Sequence, residues 1–235
     1  MHSIRLVLAV AAIGLTGESQ SLDPLVADPQ HYNLEFENQW VRVTRETMGP
    51  HDTMPMHEHT APGAVIVLLT DRNNRLTSPK GKSENPHNKA GEIQWAGPAT
   101  HRSENLNNAP FEAVRIEPKM VAGPLKKLPV EKTDATLVDP EAYKVEFENE
   151  YVRAIRVTIG PNANMPNLHT HPAAGAVVVY LTDQNMRQTL ADGKTRENHY
   201  KAKQARWVMP DQAHRDLNLS AAPSQLIRVE IKQAQ

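Results

Sequence analysis

The constraint that decides most about this chain is that it repeats itself. Asp28-Pro29, Glu35-Phe36-Glu37-Asn38, Val41-Arg42, Gly49-Pro50 and Met54-Pro55 recur 111 positions later as Asp139-Pro140, Glu146-Phe147-Glu148-Asn149, Val152-Arg153, Gly160-Pro161 and Met165-Pro166. The offset becomes 112 at His57 and His169 and holds through Gly63 and Gly175 to Trp95 and Trp207; at His101 and His214 it is 113. Single-residue slips are what surface loops absorb. The pattern is a duplicated unit of about ninety residues, predicting one domain over 28–119, a linker over 120–138 rich in Lys, Pro and small residues, and a second domain over 139–232. Units of this size bury a limited share of their surface, which predicts a substantial interface between them.

Within each unit the hydrophobic period is that of strands. Val41 to Met48 alternates; Gly63 to Thr70 and Gly175 to Thr182 are short β-branched runs closed by Thr-Asp; Phe111 to Glu117 and Gln225 to Lys232 alternate again. Gly-Pro, Asp-Gly and Pro-Lys-Gly turn signals separate them, and no sustained 3.6-residue period follows the first twenty or so residues. The expected class is all-β, with two tandem antiparallel sandwiches or barrels.

Composition narrows the function. A formal net charge of -1 leaves no basic footprint for nucleic acid or an anionic membrane surface. The absence of cysteine excludes disulfides, thiolate metal sites and thiol nucleophiles, so any metal must be held by nitrogen and oxygen. Residues 1–21 place Arg5 before the apolar run Leu6 to Leu15 and a small polar stretch ending at Ser21, which reads as a secretory signal peptide too short to span a bilayer. Its alternative is a buried N-terminal segment. Export to the periplasm or outside the cell is expected, with no membrane association after processing.

The chemistry lies in six histidines. His57-Glu58-His59 and His169-Thr170-His171 each follow Met-Pro by one or two residues. On a strand, residues i and i+2 share a face with Cα atoms about 6.5 to 7 Å apart, so both imidazoles lean toward one point while Glu58 and Thr170 face away. A third histidine, His101 or His214, follows a Trp-bearing segment and a Pro turn, with Asn105 or Asn218 four residues later. Three imidazoles suit Fe(II), Mn(II), Ni(II), Zn(II) or Cu(II), one divalent ion per unit, and availability in the cell decides between them. His87 and His199 correspond but sit in polar stretches and are read as surface residues. Met54 and Met165 can ligate reduced copper or pack as core. Arg42 and Arg153 can anchor an anionic substrate or form outward salt bridges.

This pattern resembles the cupin superfamily. Gly49, His57, His59 and Gly160, His169, His171 match its first motif; Gly91, Pro98, His101, Asn105 and Pro210, His214, Asn218 match its second. The resemblance spans both repeats and implies a bicupin, two jelly-roll β-barrels with a metal inside each, and with Asn105 and Asn218 supporting the histidines from behind. One departure is chemical. Cupins resembling oxalate decarboxylases place a glutamate ligand about four residues after the second histidine, where this chain has Gly63-Ala64 and Gly175-Ala176. Another is local, Lys203 standing where the first unit has Gly91.

Three-histidine sites resemble those of thiol and diketone-cleaving dioxygenases within the superfamily. The expected function is therefore a metal-dependent, oxygenase-type enzyme acting on a small oxygen-rich or phenolic compound. The alternative is a non-catalytic metal-dependent small-ligand binding or storage protein. No carboxylate in either motif presents itself as a general base.

Overall fold

The computed structural model describes residues 21–120, 127–128, 131–173, 175–210 and 212–232. The leader expected over 1–21 lies outside the described residues except for Ser21, as do 121–126 and 129–130 of the linker. No helix among the described residues is long and apolar enough to cross a membrane.

The first half holds helix α1 (Pro24–Ala27) and strands β1 (Tyr32–Glu37), β2 (Val41–Met48), β3 (Thr53–His59), β4 (Ala64–Leu68), β5 (Arg72–Thr77), β6 (Ser83–Glu84), β7 (His87–Asn88), β8 (Ile93–Ala96), β9 (Ala99–Asn105) and β10 (Phe111–Pro118). The second holds helix α2 (Ala135–Val138) and strands β11 (Tyr143–Glu148), β12 (Val152–Ile159), β13 (Ala176–Tyr180), β14 (Gln184–Leu190), β15 (Thr195–Tyr200), β16 (Ala205–Val208), β17 (His214–Asn218) and β18 (Ser224–Ile231). Each half folds an antiparallel five-stranded sheet, β1-β2-β10-β4-β8 or β11-β12-β18-β13-β16, over a second sheet, β3-β9-β5-β6 or β15-β14-β17. The two sheets of a half form a jelly roll.

The repeat reaches further back than Asp28. Asp23 and Asp134 cap α1 and α2 through bonds from the Leu25 and Thr136 amides, so the tail of the expected linker is a short capped helix.

The five-stranded sheets are buried on both faces. Val41, Val43, Val65, Val67, Val114 and Ile116 point out of the first barrel into Val152, Val177, Val179, Ile227, Val229 and Ile231 of the second, forming one fully buried cluster. The alternate residues point inward: Ala64, Ile66 and Leu68 join Met54 and Phe111 in one barrel core, while Ile155, Val157 and Ile159 build the other. A strand with both faces covered reads as an unbroken apolar run, and all five residues of β4 and of β13 are buried.

The seam is edged by reciprocal contacts. Arg45 donates to the Lys203 carbonyl at 2.8 Å, and its repeat counterpart Arg156 donates to the Gly91 carbonyl at 2.7 Å. Lys203 also pairs with Glu112, and Trp95 stacks on Tyr151 at 5.7 Å between ring centroids. Gly91 and Lys203 both have left-handed backbones, φ +83° and +70°. That conformation is costly for lysine, and its interface contacts offset the cost.

Gly63 and Gly175 open the apolar strands because a side chain there has no room. A Cβ at Gly175 falls 2.0 Å from Trp207 Cζ2, and one at Gly63 falls 2.5 Å from the Ala96 carbonyl oxygen. Gly175→Ala is expected to destabilise by about 1–3 kcal/mol in urea unfolding, with altered Trp emission. Gly97→Ala, whose added methyl meets nothing within 4 Å, should leave the midpoint nearly unchanged.

Candidate metal centres

Strand β3 pairs with β9 so that His57 stands opposite His101, and His59 lies two residues along on the same face as His57. Ring centroids of the three are 4.7–5.2 Å apart. The second triad is held differently. One residue more separates Met165 from His169 than separates Met54 from His57, and no regular counterpart of β3 forms among the described residues. Isolated bridges at Asn164–Leu217, His169–His214 and Asp134–Thr170 take its place, so the strand expected at His169 is reduced to single bridged residues. Asn167 instead donates to the Val138 carbonyl and to Asp139, while Thr133 and Ala135 clasp Thr170. Within each triad, one ligand nitrogen per histidine can be chosen so that all lie within 4.8 Å of one another.

The imidazoles are buried and fixed. His57 and His169 are 0 % exposed. The Nδ1 atoms of His57, His169 and His214 donate to the carbonyls of Pro55, Asn167 and Gln212, leaving Nε2 as the lone-pair nitrogen. Tyr32 and Tyr143 hydroxyls lie 3.2 Å from Nε2 of His57 and His169. Burial raises both phenols well above their ordinary range, so they remain donors. His59 and His171 each leave a buried Nδ1 without a hydrogen-bond partner, the condition of a group whose ligand is absent.

Burial also disfavours protonation within the triads. It lowers His57 and His169, takes His101 down to about 4 and, with help from the guanidiniums of Arg115 and Arg228, drives His59 and His171 well below ordinary histidine. Convergent imidazoles, three of them with Nδ1 held on a backbone carbonyl, fit a divalent transition-metal ion. Each triad opens on a cavity, about 580 Å³ in the first barrel and 450 Å³ in the second, within the range of small-molecule pockets.

Several residues take places that the sequence did not disclose. Arg42 does not line the first cavity: it makes a bidentate pair with Asp23 and lies 3.8 Å from Glu117. Arg153 is likewise held between Asp134 and Glu230. Arg115 and Arg228 line the cavities instead, and pair with the same Glu117 and Glu230. A charge chain Asp–Arg–Glu–Arg thus runs from each helix cap to each triad. Asn105 and Asn218 do not touch the histidines in this structure. Their amides bind the Gly49 and Ala109 carbonyls, or the Ile159, Gly160 and Ala222 carbonyls, and clamp the loops at the ends of β9 and β17. Met54 and Met165 are core and core-edge residues, and His87 and His199 are exposed.

Two carboxyls change the reading that no acid or base is at hand. Glu46, raised in pKa by burial, lines the first cavity beside His59, Arg72 and Arg115. Asp216 lies in the second barrel against the triad, its Oδ2 3.6 Å from His169 Nε2. Both were hidden because they belong to neither expected motif position.

His57→Ala and His169→Ala are each expected to remove one equivalent of metal by elemental analysis. The metal-free protein should lose stability as pH falls from 6.5 toward 4. The folded form binds protons less readily than the unfolded chain over that window, so each lowered histidine stabilises above it and the contribution disappears below. For His101 the loss is up to about 3 kcal/mol, and thermal melts of His101→Asn should show a correspondingly flatter acid limb.

No family model matches the sequence, and no curated protein matches it. Solved structures do match in shape. They include an oxalate decarboxylase from Bacillus subtilis (14% identity, TM-score 0.54, 81% of this chain and 68% of that one). A cupin 2 conserved barrel domain protein from Leptotrichia buccalis aligns at 10% identity and TM-score 0.51, over 86% of this chain and 88% of that one. Salicylate 1,2-dioxygenase from Pseudoaminobacter salicylatoxidans, solved as adducts with gentisate, aligns at 10% and 0.52 over 83% and 69%. Agreement at these identities is agreement of fold alone: the chain has the fold of two tandem cupin-like jelly-roll barrels, each with one histidine triad.

Proposed function

We propose that this bicupin is a metal-dependent enzyme of oxygenase type that acts on a small oxygen-rich or phenolic compound. The observation that carries the reading is the coincidence, in each barrel, of three convergent imidazoles with a cavity large enough for such a compound and a carboxyl beside them. A resident divalent ion with open positions would supply Lewis acidity and a template for oxygen ligands. The surrounding residues then do the rest. Arg115 and Arg228 hold positive charge over an oxyanion, and Glu46, its proton affinity raised by burial, can exchange a proton with a hydroxyl in the first barrel.

The second cavity favours a planar guest. Tyr180 and Tyr200 stack at 4.6 Å between centroids, Arg206 lies over Tyr200, and Met186 and Trp207 complete an aromatic and apolar wall. A phenolic acid offers a ring to that wall and oxygens to the triad. The likeness in fold to salicylate 1,2-dioxygenase supports the same class of guest without fixing the substrate.

Export of the protein through the segment 1–21 belongs to the same proposal, and protein purified from its host should begin near Leu22; a chain still beginning at Met1 removes it.

Protein loaded with Fe(II) is expected to consume dioxygen with at least one member of a panel of hydroxybenzoates, catechols and hydroxy acids, and His57→Ala together with His169→Ala should abolish it. Stoichiometric metal and tight binding of a panel member, with no turnover under any metal, would replace the enzyme with the ligand-binding reading.

A further inference from the structure

The two triads match residue for residue, but the groups beside them do not. Two residues after the third histidine, and so on the same strand face, the first barrel carries Ser103 and the second carries Asp216. Both are buried. The Oδ2 atom of Asp216 lies 3.6 Å from His169 Nε2 and 3.9 Å from His214 Nε2. Among the described residues it accepts a hydrogen bond from the Tyr143 hydroxyl at 3.0 Å.

A carboxylate that merely orients an imidazole donates nothing and sits within hydrogen-bond reach, near 2.8 Å, of a ring N–H. Asp216 is beyond that reach of both rings. It also faces the nitrogens that carry lone pairs, because Nδ1 of each ring is spent on a backbone carbonyl. An acceptor facing two acceptors is unfavourable without something positive between them. Separations of 3.6 and 3.9 Å suit two donors bound to one ion, since bonds of about 2.1 Å place ligand atoms about 3.0 Å apart at a right angle and about 4.2 Å apart in line. Among the described residues no Lys or Arg forms an ion pair with Asp216.

Resting on the metal-centre reading above, we propose that Asp216 is a fourth protein ligand of the second barrel's metal, so that one chain holds two unlike centres. The first presents three neutral nitrogens. The second presents three nitrogens and a carboxylate, with Tyr143 donating to the bound oxygen and fixing its direction. The carboxylate removes one positive charge from the centre and adds a hard donor, which favours Mn(II) or Fe(II) at the second site relative to the first. The missing motif glutamate is thereby replaced from a different strand in one barrel only.

The test uses full-length chains with a single working centre: His101→Ala leaves the second, His214→Ala the first. Metal-free protein is titrated with Mn(II) by calorimetry and with Co(II) by visible absorption. In the His101→Ala chain, Asp216→Asn is expected to weaken Mn(II) binding by about 100-fold or more and to change the Co(II) band shape and intensity. Tyr143→Phe, which removes only the orienting bond, should cost about 10-fold or less and preserve the band shape. In the His214→Ala chain, Ser103→Asp should tighten Mn(II) binding about 10-fold or more and move the Co(II) spectrum toward that of the second centre. Equal losses from Asp216→Asn and Tyr143→Phe with an unchanged Co(II) spectrum would overturn the assignment and leave Asp216 a positioning residue. If Asp216→Asn does not fold, the Ser103→Asp result decides, and no gain there counts against the proposal. Failure of the His101→Ala chain to bind either ion with Asp216 intact would instead remove the metal-centre reading itself.

Discussion

Everything in this molecule depends on the outer faces of the two five-stranded sheets being buried against each other. A barrel of this size whose outer surface met water would have to draw its stability from its own interior. Here the interior is given over in part to histidines, arginines and carboxyls. Val41, Val65, Ile116 and their counterparts Val152, Val177 and Val229 move the hydrophobic core to the seam between the barrels. About 25 cal/mol per Å² of apolar surface is gained there rather than around the ligands, and the inward face is free to be polar.

That polar interior is organised by charge chains. Asp23, Arg42, Glu117 and Arg115 in one barrel, and Asp134, Arg153, Glu230 and Arg228 in the other, alternate in sign from the short helix to the cavity. Each buried charge has a neighbour of opposite sign, which is the condition under which such groups persist in a low-dielectric interior. The innermost guanidinium faces the triad and disfavours protonation of His59 or His171, so the chain that ties down the N-terminal segment also keeps the ligating nitrogens neutral.

The fold was legible because duplication presents each pattern twice. Val41 to Met48 and Val152 to Ile159 could each be mistaken for something else, but the same alternation at the same offset leaves strands as the common answer. The triads were legible for the same reason. What stayed hidden was set by three-dimensional proximity. Asp216, Arg115 and Arg228 carry no signal in the sequence, because sequence does not say which face of a doubly buried sheet looks into the barrel. Asn105 and Asn218 sit where a supporting residue is expected, yet act on the loops. The irregular approach to His169 goes with one inserted residue, a change too small to foresee as the loss of a strand.

The crossed pairing at the seam, Arg45 to the Lys203 carbonyl and Arg156 to the Gly91 carbonyl, has the form of an isologous contact, one patch meeting itself across a two-fold axis. In a dimer of identical chains such a patch has no sidedness: every substitution appears twice and must suit both copies. Carried on one polypeptide, the two copies are separate addresses. Lysine can replace glycine at one corner alone and reach Glu112 across the seam, and the barrels on either side become free to specialise while the axis that joins them stays as it was.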